Sequence, residues 1–282
     1  MALAHAFARR SHDVIPGRAP ALALTVGVVT MVVLVPLAVV VLTASTASWP
    51  ALWAQLASAR DLAAFRLTFG AALLAAAIDV VAGSYVAWVL VRHRFGGTAL
   101  LDALVDVPLA LPTAVAGIAL ATLYGPHGWA GALLEAHGIT VAYTPLGIVL
   151  ALAFVGFPFV VRAVQPVLAA LPADFEEAAA TLGASRNATV VRIVFPLLAP
   201  AMLAGFALAL ARGLGEYGSV LFISGNLPLR TEIAPLLIVN RLEEYDYHGA
   251  AAIATVLLVS AFALLVAIAL LQRRLTSRQV RD

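Results

Sequence analysis

A short acidic, alanine-rich stretch, 176–183, holds the residue types that most need a functional explanation. It reads Glu-Glu-Ala-Ala-Ala-Thr-Leu-Gly and lies between two long apolar segments. Carboxylates favour the amino end of a helix, where the helix dipole is positive, and alanine is the strongest helix former. Gly183 can adopt the left-handed conformation that ends a helix. The stretch therefore predicts a short helix with little side-chain bulk.

The residue chemistry leaves two interpretations of this helix open. It could dock another protein, because Ala178, Ala179 and Gly183 would let a partner's backbone approach closely. It could also be an ordinary capped helix that joins two apolar segments. Pro172 suits a first helical turn, and Ser185 suits the amino-terminal cap of a second short helix. Both interpretations predict a helix–turn–helix along the membrane surface.

The elements that must position this stretch are membrane spans. Of the 282 residues, 63% are hydrophobic and 11% are charged, whereas a soluble domain is about half apolar and a quarter charged. The mean hydropathy is +1.01. A helix needs about 20 apolar residues to cross a bilayer. Six segments qualify and predict an all-α membrane protein with six transmembrane helices: 21–44, 66–91, 100–124, 146–170, 195–223 and 250–272.

The positions of arginine orient these spans, because cytoplasmic loops carry an excess of basic residues. All 17 residues counted as Lys or Arg are Arg. Most of them fall on the cytoplasmic side if the amino terminus is cytoplasmic, and an even number of spans returns the carboxyl terminus there. We therefore predict a cytoplasmic segment 1–20, one six-helix domain 21–272 with a cytoplasmic loop 171–194, and a cytoplasmic tail 273–282.

The composition argues against several kinds of chemistry. Without lysine, the chain cannot form the usual Walker A phosphate loop. Without cysteine, disulfides and thiolate metal sites are excluded, and the six histidines show no ligand spacing. Gly213, Gly215 and Gly218 spell G-x-G-x-x-G, but they lie in an apolar helix rather than after a strand, so a dinucleotide site is not expected. We predict no catalytic residue, no metal and no cofactor bound by this chain.

Ionisable residues inside predicted spans are costly and often functional. Arg212 and Arg162 could line the path of an anion. Alternatively, Arg212 pairs with Glu216 one turn away, and Arg162 extends towards the cytoplasm. Asp79 is expected to meet a polar partner on a neighbouring helix.

Two further acidic residues, Asp102 and Asp106, lie one turn apart near the cytoplasmic end of span three. Arg92 and Arg94 lie across the short preceding loop. The spacing predicts a structural cluster of ion pairs between these four side chains, in preference to a proton relay.

The acidic stretch and the residues after it resemble the EAA loop of bacterial ABC-importer permeases. The pattern of that family is Glu-Ala-Ala, three residues, Gly, nine residues, Ile, one residue and Leu-Pro. The sequence has Phe195 where Leu is usual, and it matches the pattern at Glu177, Ala178, Ala179, Gly183, Ile193 and Pro196. The resemblance implies a type I importer fold in which this loop, with Glu176, is a coupling helix between helices four and five. A separate ATPase, which binds ATP–Mg, would dock there.

A resemblance to the sulfate/molybdate permease group extends over most of the chain. It rests on 108–117 in span three, 213–220 at the end of span five, and the segments 223–226, 231–238 and 243–250. These last segments resemble the T-type subunit of sulfate/thiosulfate importers. The resemblance implies a multi-pass protein of the bacterial inner membrane that works with a W-type permease, two copies of a cytoplasmic ATPase and a periplasmic sulfate-binding protein.

The translocation pathway and the cargo are less constrained. We predict pathway residues at the end of span five: Arg212, Gly215, Glu216 and Ser219. A molybdate or tungstate permease, which would pair with itself, is one alternative. An ATP-independent secondary anion transporter, which would depend on Asp79 or Glu216, is another.

Overall fold

The computed structural model describes residues 18–46, 48–93, 95–172 and 174–279, and this part of the chain is helical without strands. The helices are α1 (Arg18–Val29), α2 (Val35–Ser45), α3 (Trp49–Leu56), α4 (Ala59–Arg92), α5 (Thr98–Val105), α6 (Val107–Ala110), α7 (Thr113–Tyr124), α8 (Trp129–Glu135), α9 (Pro145–Ala170), α10 (Asp174–Thr181), α11 (Arg186–Thr189), α12 (Phe195–Leu214), α13 (Gly218–Ser224), α14 (Ala234–Glu243) and α15 (Tyr247–Gln279). Two π-helical turns, Thr30–Leu34 and Val190–Val194, join α1 to α2 and α11 to α12.

Five continuous helices of the described chain are long and apolar enough to cross a membrane: Pro20–Ser45, Ala59–Arg92, Pro145–Ala170, Arg186–Leu214 and Tyr247–Arg274. They correspond to five of the six predicted spans, and the all-α membrane fold is confirmed. The remaining predicted span, 100–124, is divided into α5, α6 and α7. The count of six spans and the side on which the termini lie stay predictions.

The third predicted span is interrupted at Leu111, which has an extended backbone with φ −77° and ψ 136°. The residue that follows is Pro112, and a proline ring clashes with an α-helical conformation of the residue before it. Helix α7 then begins at Thr113. The apolar character continues across the break, so hydropathy alone shows a single segment there.

The prediction of one continuous helix over 195–223 is wrong after Leu214. The helix begins earlier, at Arg186, and ends at Leu214, and a separate helix α13 begins at Gly218. Gly215 and Tyr217 depart from helical geometry in the intervening turn. Glycine in a helix interior lowers helix stability by about 1 kcal/mol relative to alanine. Gly213 and Gly215 flank Leu214, where α12 ends.

The core of the protein forms where α4, α9 and α12 pack together. Small residues allow the close approach: a Cβ added to Gly83 of α4 would lie 3.0 Å from Val160 Cβ of α9. A Cβ added to Gly205 of α12 would lie 2.9 Å from Val160 Cα. Two glycines on different helices therefore face the same valine, as is common where membrane helices touch.

At the end of α4 opposite α10, ion pairs fasten the segment before α14 to the helical core. The Arg60 guanidinium donates two hydrogen bonds of 2.7 Å to the Glu232 carboxylate, and Asn240 Nδ2 donates a third to it, also 2.7 Å. Ala234 N donates to Thr68 Oγ1 at 2.8 Å, which caps the start of α14. This corner is a rigid attachment between α4 and α14.

We expect Gly205→Ala to destabilise the protein by about 1 to 3 kcal/mol, because the new Cβ would press against the Val160 backbone. Gly70→Ala is the matched control, since nothing lies within 4 Å of a Cβ added there. The control should be neutral or stabilising by up to about 1 kcal/mol, because alanine favours the helix. Thermal unfolding of the purified variants in the same detergent measures both, and equal midpoints would contradict the packing argument.

Candidate functional site

The acidic stretch forms α10, with Asp174, Glu176 and Glu177 in its first turn. The helix ends through hydrogen bonds from Gly183 N to Ala180 O (3.0 Å) and from Ala184 N to Ala179 O (3.0 Å). Gly183 has φ +80°, the left-handed conformation that glycine adopts without strain. The predicted helix and its glycine stop are confirmed.

The turn after α10 leads directly into a long helix. Ser185 Oγ accepts a hydrogen bond of 3.3 Å from Ala188 N, so the predicted cap is present. The prediction of a separate second short helix is wrong. The residues after Ser185 form the first turn of the continuous helix Arg186–Leu214. The π-helical turn before Phe195 adjoins Pro196, which has no N–H to offer an α-helical hydrogen bond.

An ion pair attaches α10 to the rest of the protein. Arg92 Nη2 lies 2.9 Å from Glu176 Oε1 and donates a hydrogen bond of 3.2 Å to Leu171 O. Arg92 ends α4, and Leu171 follows α9. One guanidinium thus joins the ends of two core helices to α10. Among the predicted coupling residues, Glu176 and the buried Ala179 face the protein.

An apolar face of α10 remains exposed. Phe175 is 50% exposed and Leu182 is 88% exposed, and Ala178 between them is also exposed. Their spacing of i, i+3 and i+7 puts the three side chains on one side of the helix. We call Phe175, Ala178 and Leu182 the docking face.

The other predicted coupling residues occupy different positions. Glu177 is exposed on α10, Gly183 ends the helix, Ile193 is half-buried and Pro196 is exposed. Sequence matching to the EAA pattern did not single out Phe175, Leu182 or Arg92. The apolar i, i+3, i+7 spacing was a signal for the docking face, whereas no local pattern pointed to Arg92.

The residues predicted for the translocation pathway form one hydrogen-bonded unit at the end of α12. Arg212 Nη1 lies 2.5 Å from Glu216 Oε2, which confirms the predicted pair. Ser219 N and Ser219 Oγ each donate a hydrogen bond of 2.9 Å to Glu216 Oε1. The Glu216 carboxylate is 1% exposed, Ser219 is buried, and Gly215 is exposed between the two helices. Glu216 therefore bridges the break between α12 and α13.

The two interrupted spans contact each other closely. A Cβ on Gly117 of α7 would overlap the carbonyl oxygen of Ser219, and a Cβ on Gly218 would overlap Thr113 Oγ1. Helices α7 and α13 therefore pack backbone to backbone. This contact positions the break in the third span beside the break in the fifth.

Asp102 and Asp106 form the predicted ion-pair cluster, but with a different partner. Arg162 of α9 donates to Asp106 through Nε (2.9 Å) and Nη2 (2.6 Å) and to Asp102 Oδ1 through Nη1 (2.7 Å). The prediction of Arg92 as the partner is wrong, because Arg92 binds Glu176 and Leu171 instead; Arg94 lies outside the described residues. The Arg162 guanidinium is thus held by two aspartates near the predicted cytoplasmic end of span three, and a place for Arg162 on an anion path stays a prediction.

The expected partner of Asp79 is not found in the described part of the chain. Asp79 is 2% exposed, and its Oδ2 atom has no hydrogen-bond partner. The described residues also contain no group of three or more His, Asp or Glu that could hold a metal ion. Two features of the site stand out: the exposed apolar face of Phe175, Ala178 and Leu182, and the half-buried Arg212 paired with the buried Glu216.

Comparison with known proteins places this chain in a family. The family model described as "Binding-protein-dependent transport system inner membrane component" matches residues 79–281. The chain is 45% identical over 270 residues to the "Sulfate transport system permease protein CysT" of Salmonella typhimurium, covering 96% of this chain and 98% of that protein. It is 44% identical over 274 residues to the Escherichia coli protein of the same name, covering 97% and 99%.

Solved structures share the fold at lower identity. A bacterial alginate ABC transporter in complex with a periplasmic protein has a chain that matches with a TM-score of 0.75 and 15% identity, covering 92% of this chain and 94% of that one. A chain of an amino acid ABC transporter matches with a TM-score of 0.51 and 17% identity, covering 76% and 92%. These structures support the fold of an ABC importer permease.

We expect Arg92→Gln and Glu176→Gln each to loosen α10, because either change removes the ion pair that attaches it. Hydrogen exchange at the α10 amides should be faster in both variants, by up to about fivefold for a partly exposed pair. The double variant should be no faster than the faster single variant, since both lose the same interaction. Glu177→Gln is the control on the same helix, and an additive double variant would contradict the assignment.

Proposed function

This chain belongs to the family of inner membrane components of binding-protein-dependent transport systems, and we propose that it is the T-type permease of a sulfate/thiosulfate ABC importer. The cargo rests on one observation, the near-full-length similarity to sulfate permeases. The chain is a multi-pass protein of the bacterial inner membrane, and as a permease subunit it does not hydrolyse ATP itself. ATP–Mg binds the partner ATPase.

The importer contains further subunits besides this chain. It works with a cytoplasmic ATPase, a binding protein that delivers the anion from the periplasm, and a second permease. We infer that the second permease is a W-type sister and that two copies of the ATPase are present. The heterodimer is supported by the likeness to sulfate permeases, whereas a molybdate permease would pair with itself.

The ATPase binds the docking face of α10. Phe175 and Leu182 offer apolar side chains, and Ala178 between them lets the partner approach closely. An exposed apolar face on a short helix is typical of a protein interface. The acidic first turn and the left-handed Gly183 hold the helix in the orientation that presents this face.

Movement of α10 reaches the membrane core by two connections. The first is Arg92, which joins α10 to the ends of α4 and α9. The second is the continuous helix Arg186–Leu214, which begins just after the docking face and ends at the Arg212–Glu216 pair. A continuous helix carries displacement along its length, so closure of the ATPases shifts the break between α12 and α13.

The anion passes near the break in the fifth span. Arg212 supplies positive charge there, Gly215 leaves the backbone open, and Glu216 with Ser219 holds the arginine in place. Pairing with Glu216 reduces the attraction of Arg212 for a dianion. A weak site suits transport, because the anion must leave as readily as it enters.

We expect Leu182→Gln to weaken ATPase docking by about tenfold or more, because it removes an apolar anchor from the docking face. Gly183→Arg and Glu177→Lys should likewise uncouple sulfate uptake from ATP hydrolysis while the protein stays in the membrane. Ala180→Gln is the matched control, since it adds the same side chain elsewhere on α10. Co-purification of the ATPase and uptake into proteoliposomes measure the effect; unchanged uptake in all three variants would exclude this loop as the coupling site.

The cargo is tested in a strain that lacks its own sulfate permeases. We expect this chain, expressed with its partner subunits, to restore uptake of labelled sulfate. Excess unlabelled sulfate or thiosulfate should suppress that uptake more strongly than molybdate. Stronger competition by molybdate would favour a molybdate permease, and uptake that persists without the ATPase would favour a secondary transporter.

A further inference from the structure

A cavity of about 420 Å³ lies beside Asp79, away from the docking face and from the Arg212–Glu216 pair. Its walls come from α4 and α9 on one side and from the divided third span, α5 to α7, on the other. Among the described residues that line it, Asp79 carries the one carboxylate, and the others are apolar or aromatic. The cavity is therefore an apolar space with a single acidic group.

The Asp79 carboxylate lacks compensation within the described part of the chain. The residue is 2% exposed, Oδ2 makes no hydrogen bond, and no ion pair involves either oxygen. Gly156 of α9 makes room for it, since a Cβ there would overlap Oδ2. A buried carboxylate without a partner is costly. A cation in the cavity would remove that cost.

Aromatic side chains add a second property that favours a cation. Tyr124, Phe154 and Phe157 all line the cavity. The face of an aromatic ring attracts an ammonium group, and aromatic side chains that line a site recognise quaternary ammonium ions. The apolar walls suit hydrocarbon substituents, and the volume lies within the range of small-molecule sites, about 300 to 1,000 Å³.

We propose that this cavity binds a lipophilic ammonium ion, with Asp79 as the counter-ion and the three rings around the charged nitrogen. The cavity lining includes none of the residues proposed for the sulfate pathway: Arg212, Gly215, Glu216 and Ser219. An ion bound there contacts α4 and α9 on one side and the third span on the other. It therefore fixes their separation and opposes any transport step in which these helices move relative to each other.

The direct test measures binding of benzyltrimethylammonium to the assembled importer in lipid nanodiscs. We expect saturable binding to the natural protein, and binding at least about tenfold weaker to Asp79→Asn, which keeps the shape but removes the charge. Glu135→Gln removes a carboxylate from the exposed surface of α8 and should bind as the natural protein does. Neopentylbenzene, the uncharged isostere, should not distinguish Asp79 from asparagine.

A second variant tests the aromatic part of the site. Phe157→Leu should weaken benzyltrimethylammonium binding severalfold, because it removes one ring and keeps the residue apolar. Equal affinity for the natural protein and Asp79→Asn would overturn the proposal. Absence of saturable binding would also overturn it. Binding is read without transport, so failure of the sulfate assignment would leave this result unchanged.

Discussion

A helix that is interrupted inside a membrane must find new partners for its backbone, because the lipid offers none. The described part of this chain has two such interruptions, and the structure depends on how their backbone groups are satisfied. In the fifth span, Glu216 accepts from Ser219 N at 2.9 Å, and Glu216 N donates to Gly213 O at 3.2 Å. In the third span, the interruption falls at Pro112, which has no N–H to satisfy.

The two interruptions also stabilise each other. Gly117 and Gly218 let α7 and α13 touch through their backbones, so each short helix shields the polar ends of the other. The carbonyl of Ile223 near the end of α13 accepts from Tyr143 N at 2.7 Å. This arrangement keeps Arg212, in the last turn of α12, beside the non-helical backbone that follows Leu214. The Arg212 side chain is 33% exposed there, at the place where we propose that the anion passes.

Features that depend on neighbouring residues along the chain could be predicted from the sequence, whereas features that depend on tertiary contacts could not. The apolar segments, the capped α10 and the Arg212–Glu216 pair follow from spacing along one element. The interruptions at Leu111 and Gly215 escaped detection because apolar residues continue on both sides of them. Arg162 holds the aspartates that Arg92 was expected to bind, because proximity across a short loop predicts a contact only when no packed helix offers a better one. Arg162 lies on α9 directly opposite Asp102 and Asp106, and Arg92 turns towards Leu171 and Glu176.

The stiffness of the connections around α10 differs, and the difference suits a coupling element. An isolated helix of 8 residues is only marginally stable. The Arg92–Glu176 pair is partly exposed, with side chains 20% and 36% accessible, and a pair of this kind contributes up to about 1 kcal/mol. The helix Arg186–Leu214 is continuous, although it contains a π-helical turn at Val190–Val194 and two prolines, Pro196 and Pro200, that donate no backbone hydrogen bond. We propose that a docked partner reorients α10 at small cost, and that the displacement passes along this continuous helix to Arg212. The Arg92–Glu176 ion pair determines how easily α10 moves, and the helix Arg186–Leu214 determines the direction in which its displacement is transmitted.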